Sequence, residues 1–138
     1  MSQENVDVVR RLNAAFNSGD PEGFAEICGE SFASDAELRD LANAPDQEDV
    51  LRGPDAIQAA LALWSAAFDE LRADVEEYTD QGDVVVCAVH WNGRAKESPM
   101  SIDQILFDVY ELRDGRIVSA TVGFRSKREA LEAAGLSA

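Results

Sequence analysis

Apolar positions in the first half of the chain recur at helical spacing. In SQENVDVVRRLNAAFNSGD they form one stripe from Val6 to Phe16, which predicts a helix that Gly19 ends. A second helix follows in DPEGFAEICG, where Asp20 is the expected N-cap and Pro21 takes the first helical position. The long apolar stripe of GPDAIQAALALWSAAFDEL predicts a third helix. The N-terminal half is therefore mainly helical.

In the second half the apolar period changes from 3.6 to 2. Four strands are predicted in LRADVEEYT, DVVVCAVHWNG, SIDQILFDVYEL and RIVSATVGFRS, with turns at Gly82, Asn92-Gly93 and Asp114-Gly115. A short strand is also predicted in SDAELRDL before the third helix, a polar loop in ANAPDQEDVLRG, and a final helix in KREALEAAGL. Helices that are segregated from an antiparallel meander predict an α+β fold, here one domain over residues 1–138.

Composition limits the classes of partner. The chain has 138 residues with 27 acidic and 12 basic side chains, a net charge of -15, so nucleic acid and anionic membranes are not expected to bind. No apolar run approaches 18 residues and the N-terminus has no signal-peptide core, so we expect a cytoplasmic protein. With Cys28 and Cys87 as isolated cysteines and His90 as the single histidine, we expect no metal site and no cofactor.

One acidic residue stands out in the strand ILFDVYEL. Asp108 lies between Leu106 and Tyr110 on one face, and the opposite face is also apolar. A buried carboxyl group is costly unless it is paired, hydrogen-bonded or protonated. Asp108 is therefore a candidate functional residue, although a hydrogen bond from Tyr110, Gln104 or an ordered water would satisfy it in a core that binds nothing.

Several segments, taken in order, resemble the nuclear transport factor 2-like superfamily and within it the SnoaL-like branch. They are AAFNSGDPEGFAEI, FASDAELRDL, GPDAIQAAL, FDVYELRDGRI and KREALEAAGL, which together span nearly the whole chain. The resemblance implies a cone in which a curved, mostly antiparallel sheet and N-terminal helices enclose one pocket. The superfamily includes ketosteroid isomerase, polyketide cyclases, limonene epoxide hydrolase, scytalone dehydratase and many non-catalytic proteins, so its fold does not imply one function.

Similarity to ketosteroid isomerase implies roles for three residues. Asp40 matches the carboxylate base, and Asp108 matches the protonated acid of the oxyanion hole. The oxyanion-hole tyrosine of that enzyme falls at Leu12, so Tyr110 is the candidate replacement. The Arg and two Asp of the epoxide hydrolase have no match. The same similarity implies a largely apolar ligand pocket lined by Leu12, Phe16, Leu38, Trp64, Phe68, Val89, Trp91, Gln104, Leu106, Val122 and Phe124.

Two functions remain open from the sequence. One is cofactor-free proton transfer, of the isomerase or cyclase type, on a small apolar carbonyl compound. The other is a non-catalytic, ligand-binding or structural member, in which Asp40 only caps a loop amide. An enclosed cavity with both acids on its wall favours the first, and a filled core favours the second. We also expect a homodimer, because the outer sheet face is too apolar for solvent at Val84, Val86, Ile105, Phe107 and Val109. His90 is expected on this outer face, away from the pocket.

Overall fold

A computed structural model of the chain describes residues 2–41, 50–96 and 101–136. The described part contains four helices and six strands in an α+β arrangement, as predicted. They are α1 (Ser2–Asn17), α2 (Pro21–Ser31), β1 (Phe32–Asp40), β2 (Leu51–Arg52), α3 (Pro54–Ala67), β3 (Phe68–Gln81), β4 (Val84–Ala95), β5 (Ser101–Arg113), β6 (Arg116–Phe124) and α4 (Lys127–Ala133).

The strands form one sheet in the order β2-β1-β6-β5-β4-β3. The predicted antiparallel meander of β3 to β6 is confirmed, and β1 joins it by pairing parallel to β6. The turn between β5 and β6 has positive φ at both Asp114 and Gly115, with Arg113 paired to Arg116. Such a two-residue turn matches the twist of the strands, and Asp-Gly is a favoured sequence for it.

Three predicted boundaries were wrong. The third helix ends at Ala67 rather than near Leu71, because β3 pairs with β4 from Phe68 onward. β4 continues through Gly93 to Ala95, although we predicted a turn at Asn92-Gly93. A Cβ atom at Gly93 would lie 3.0 Å from the Cδ1 atom of Leu71, so glycine at this position lets β3 and β4 pack closely. In the predicted polar loop, Leu51–Arg52 forms a short strand on β1, while residues 42–49 lie outside the described part.

The inner face of the sheet packs against the first three helices. Val6, Val9 and Leu12 recur at helical spacing on α1 and are buried there with Phe24 of α2 and Ile57 of α3. The buried strand residues of the same core alternate along β1 and β4, which is the pattern of a sheet with one covered face, whereas on β6 a shift in the pairing with β5 separates Ile117 and Ala120 by three residues. These residues include Ala36, Leu38, Val85, Cys87, Val89, Ile117 and Ala120.

The outer face carries a second, smaller core beneath α4. Val86 and Val109 are buried against Ala130 and Leu131 of that helix. The expectation of a bare apolar outer face was therefore wrong in part, since the C-terminal helix covers one region of it. Ile105 remains 46% exposed. No helix in the described ranges is long and apolar enough to cross a membrane.

Candidate functional site

A cavity of about 180 Å³ lies between the first helices and the inner face of the sheet. Its walls are mainly apolar, and the polar groups are few, which is typical of small-molecule sites. The described residues that line it are Val9, Leu12, Asn13, Phe16, Phe24, Phe32, Leu38, Asp40, Leu61, Ala73, Val75, Cys87, Val89, Trp91, Ile102, Gln104, Leu106, Asp108, Tyr110, Val122 and Gly123.

The structure brings most of the sequence-derived site residues to this cavity. The three candidate catalytic residues, Asp40, Asp108 and Tyr110, lie on its wall. Of the candidate pocket residues, eight line it: Leu12, Phe16, Leu38, Val89, Trp91, Gln104, Leu106 and Val122. Phe68 begins β3 opposite Ala95 and is not among the lining residues. The side chain of Trp64 lies outside the described part of the chain.

Phe124 was predicted to line the cavity, but its side chain lies on the outer face of the sheet. It packs in the outer core beneath α4 and not on the cavity wall. The cause is a bulge in β6: Val109 of β5 pairs with Thr121, whereas Phe107 pairs with Phe124, so β6 has one extra residue between these pairs. One extra residue reverses the face on which the following side chain lies.

The same bulge shapes the polar end of the cavity. Gly123 lies within it, with φ of 94°, a conformation that glycine adopts most readily. Its backbone N–H donates a hydrogen bond of 3.1 Å to Oδ1 of Asp108. The bulge thus aims a backbone donor at the buried carboxyl group, which explains how Asp108 is accommodated between two apolar strands.

Burial dominates the chemistry of Asp108. The residue is 4% exposed, and burial raises the pKa of its carboxyl group from 3.8 to about 7. The Gly123 hydrogen bond opposes this rise, the negative charge of Asp40 adds to it, and a hydrogen bond from the Tyr110 hydroxyl opposes it. Near neutral pH the carboxyl group is therefore present in both protonated and ionised forms.

The Asp108 charge also raises the pKa values of two neighbouring side chains, Tyr110 and Cys87. The pKa of Tyr110 lies well above its ordinary value, first because of burial and then because of the Asp108 charge. Cys87, paired with Asp108 across β4 and β5, has its pKa raised by burial and by the same carboxylate. Both groups are therefore neutral at physiological pH, and Tyr110 remains a hydrogen-bond donor.

The described part of the cavity wall carries acidic but no basic side chains. Among the described residues that line it, none is Arg, Lys or His. The charge of Asp40 reaches Asp108 strongly enough to raise the pKa of that carboxyl group. Within the described ranges, no group of three His, Cys, Asp or Glu side chains is arranged to hold a metal ion. The polar side chains on the described wall include two carboxyl groups, two amides and the Tyr110 hydroxyl.

The cavity has a deep polar layer and an accessible end. Asp108 and Cys87 are buried, whereas Gln104, four residues earlier on β5, is exposed. At the level of Gln104, the strands pair Gln104 with Trp91 and Trp91 with Ala73. Gln104, Trp91 and Ala73 thus lie side by side at the accessible end of the cavity. Asp108, which marks the carboxyl layer, lies four strand residues further along β5, at about 13 Å from this row.

Sequence reasoning missed Asn13 and Gly123. Asn13 follows Leu12 and precedes Phe16 by three residues, so helical spacing alone places it on the same stripe of α1. No sequence signal indicates the role of Gly123, because that role depends on the pairing of β6 with β5.

His90 lies on the outer face, away from the cavity. Its Nε2 atom is 2.6 Å from Oδ1 of Asp103, and its Nδ1 atom is 3.9 Å from Oε2 of Glu76. The hydrogen bond to Asp103 raises the pKa of the His90 ring, as do the charges of the surrounding acids. It takes no part in the wall of the cavity.

The family comparison agrees with this architecture. The model of the SnoaL-like domain matches residues 9–120. No curated protein matches the sequence significantly.

Solved structures of similar fold cover almost the whole chain. One is a protein with a ketosteroid isomerase-like fold from Catenulispora acidiphila, in complex with trimethylamine: identity is 21%, coverage 95% of this chain and 94% of that one, and TM-score 0.73. A putative SnoaL-like polyketide cyclase from Jannaschia sp. has 20% identity, 88% and 85% coverage, and TM-score 0.77. IdmH, a putative polyketide cyclase from Streptomyces antibioticus, has 24% identity, 94% and 96% coverage, and TM-score 0.73.

Proposed function

This chain belongs to the SnoaL-like domain family, and we propose that it binds a small, uncharged carbonyl compound and catalyses proton transfer next to the carbonyl group without a cofactor. The observation that carries the proposal is that Asp40, Asp108 and Tyr110 line the same mainly apolar cavity. That the C. acidiphila neighbour binds trimethylamine supports a small-molecule site in this fold.

The proposed reaction begins with Asp40 as general base. Its carboxylate removes a proton from the carbon beside the carbonyl group. The electron pair of that C–H bond becomes a carbon–carbon double bond, and the carbonyl π pair moves to oxygen, giving an enolate. Asp40, now protonated, returns the proton to the same carbon or to a carbon conjugated with it. The charge passes from Asp40 to the ligand oxygen, so the total charge in the cavity does not change.

Asp108 and Tyr110 are the proposed donors to the developing oxyanion, and Tyr110 takes this role by turning its single O–H from Asp108 to the ligand oxygen. The Gly123 N–H occupies Oδ1 of Asp108, so the proton of the neutral acid belongs on Oδ2. The protonated fraction of Asp108, which burial keeps substantial near pH 7, can donate this proton in a hydrogen bond to the ligand oxygen. Hydrogen bonds to a developing charge in a water-poor site lower the barrier by several kcal/mol, at about 3 kcal/mol for one donor.

A second function is favoured by one specific observation. Asp108 already has two internal partners, Gly123 and Tyr110, so the fold satisfies this buried acid without any ligand. The isomerase tyrosine is also replaced by Leu12, which leaves fewer donors. The alternative is a non-catalytic member that binds an apolar molecule in the same cavity.

Hydrogen exchange of a simple ketone separates these functions. With 2-tetralone in deuterated buffer near pH 7, NMR should show the protein accelerating exchange at the carbons beside the carbonyl. Asp40→Asn should abolish the acceleration, since an amide is not a base. Asp108→Asn should only weaken it, because an amide still donates a hydrogen bond.

The control is Asp35→Asn, which makes the same change at an exposed position of β1 and should leave exchange unaltered. Binding of 2-tetralone without accelerated exchange would favour the non-catalytic alternative. Exchange that survives in Asp40→Asn would remove Asp40 from the proposed role.

We also propose that two copies of the chain pair through the outer face of the sheet. Ile105 is a large apolar side chain that is 46% exposed there, beside the half-buried Phe107. Because α4 covers Val86 and Val109, the proposed contact is confined to the uncovered end of this face. Ile105 is a better test position than Phe107, which also packs against the outer core.

A further inference from the structure

The amide groups of α1 at the accessible end of the cavity form an unusual set. Nδ2 of Asn17 donates to the carbonyl oxygen of Ala73 at 2.9 Å, and Oδ1 of Asn17 accepts from the Ala73 N–H at 2.9 Å. β3 is an edge strand, so these bonds satisfy backbone groups that no further strand pairs with. Asn17 therefore completes the anchoring of β3 to α1.

Asn13 adds a third bond to the same point. Its Nδ2 atom donates to the Ala73 carbonyl oxygen at 2.8 Å. That carbonyl already accepts from Asn17, so the structural task does not depend on Asn13. The hydrogen bond to Ala73 fixes the orientation of the Asn13 amide. Its nitrogen points to the Ala73 carbonyl oxygen, and its Oδ1 atom points away from that oxygen.

Only Asn13 of these two residues lines the cavity. Among the described residues, none donates a hydrogen bond to its Oδ1 atom. The Ala73 to which it is fixed lies in the strand row with Trp91 and Gln104, at the accessible end. Asn13 therefore lines the accessible end of the cavity with its amide held by Ala73, and four strand residues, about 13 Å, separate this level from Asp108.

The acidic groups on the cavity wall make a negatively charged ligand unfavourable. Asp40 and Asp108 are the acidic groups on the described wall, and none of the described lining residues is an Arg, Lys or His that could pair with a ligand carboxylate. A ligand carboxylate at this end would find no cation on the described wall and would add a negative charge to a cavity that already holds two acidic groups. A neutral hydroxyl or amide N–H at the mouth avoids this repulsion.

We propose that Asn13 is a specificity-determining residue, and that the cavity takes an elongated, uncharged molecule with a hydrogen-bond donor at the end remote from its carbonyl oxygen. The inference rests on the proposed function for the position of the carbonyl oxygen, which lies at the Asp108 end. Asn13 then accepts a hydrogen bond from the remote hydroxyl or N–H group. The aromatic side chains of Phe16 and Trp91, whose rings meet edge to face at 5.6 Å, lie beside the body of the ligand.

Calorimetric titration with four biaryl ketones tests this inference. The probes are 4-acetylbiphenyl and its 4′-hydroxy, 4′-methoxy and 4′-carboxylate derivatives, which differ only at the remote end. With the wild-type protein, the hydroxyl compound should bind about fivefold more tightly than the parent, which is the usual net effect of one hydrogen bond. The methoxy compound should show no such gain, and the carboxylate should bind at least about tenfold more weakly than the parent.

Two alanine variants distinguish ligand binding from structure. Asn13→Ala should lose the fivefold ratio between its affinities for the hydroxyl compound and for the parent ketone, whatever its affinity for the parent ketone itself. Asn17→Ala should lower the melting temperature while keeping that preference, because Asn17 does not line the cavity.

Each contrary outcome has its own meaning. A hydroxyl preference that is absent from the wild type, or that survives in Asn13→Ala, overturns the role of Asn13 while leaving the proposed function intact. A carboxylate that binds as tightly as the parent overturns the charge argument. If the folded wild type binds none of the four ketones, the proposed function fails and this inference fails with it.

Discussion

The substitution Asp108→Asn should stabilise the protein at neutral and higher pH. Asparagine has nearly the same shape, and its side-chain oxygen can still accept the hydrogen bond from the Gly123 N–H. It removes the ionisable group whose pKa burial raises from 3.8 to about 7. The substitution therefore isolates the free-energy cost of burying this carboxylate.

The sign and size of the effect follow from proton linkage. Well below pH 3.8 the acid is protonated in both the folded and the unfolded states, so its charge makes no difference to stability. Between pH 4 and 7 the unfolded chain ionises first, and wild-type stability falls by about 1.4 kcal/mol per pH unit relative to the variant. Above pH 7 the difference levels off on the order of 4 kcal/mol, an upper value that relaxation around Asp108 will reduce.

Urea denaturation of both proteins from pH 4.5 to pH 8.5 measures this difference. Subtracting the variant from the wild type cancels the titration of the many surface acids. Asp35→Asn serves as the matched control, since an exposed substitution should change stability by no more than about 0.5 kcal/mol at any pH. A wild-type-minus-variant difference that does not change with pH, or that favours the wild type as pH rises, would refute the buried-acid argument.

Two further predictions concern the outer face of the sheet. His90→Ala should leave ketone binding unchanged and should reduce stability at pH 5 more than at pH 9, because the Asp103 hydrogen bond raises the pKa of His90. The stabilisation by this bond is present below the unfolded pKa of 6.5 and is lost as pH rises through the folded pKa. Equal losses of stability in urea denaturation at the two pH values would contradict this prediction. Ile105→Glu should convert a dimer into a folded monomer in light scattering, and a wild-type monomer at high concentration would contradict the proposed pairing.

Much of the fold was predictable from local patterns. The apolar stripe from Val6 to Phe16 indicated α1, and the change to period 2 after α3 indicated the meander. Asp114-Gly115 indicated the last hairpin, because few residue pairs tolerate positive φ at both positions. These features depend on neighbours within a few residues, so the chain itself contains the necessary information.

The candidate site was predictable where strand alternation is regular. Along β5, the period of two places Gln104, Leu106, Asp108 and Tyr110 on one face, and all four line the cavity. The assignment of that face to the cavity side came from the family resemblance. Alternation failed at Phe124, because a bulge in β6 shifts the register by one residue and no pattern in the sequence marks the shift.

What only the tertiary structure decided concerns contacts between residues distant in sequence. The Gly123 N–H meets Asp108 across two paired strands, and Asn13 and Asn17 meet Ala73 from a helix more than fifty residues away. The cover that α4 provides for Val86 and Val109 is of the same kind. The sequence by itself determined which segments are helices and strands and that an acid lies in an apolar strand, because these are local properties; the partners of that acid depend on strand register and helix docking, which the whole fold sets.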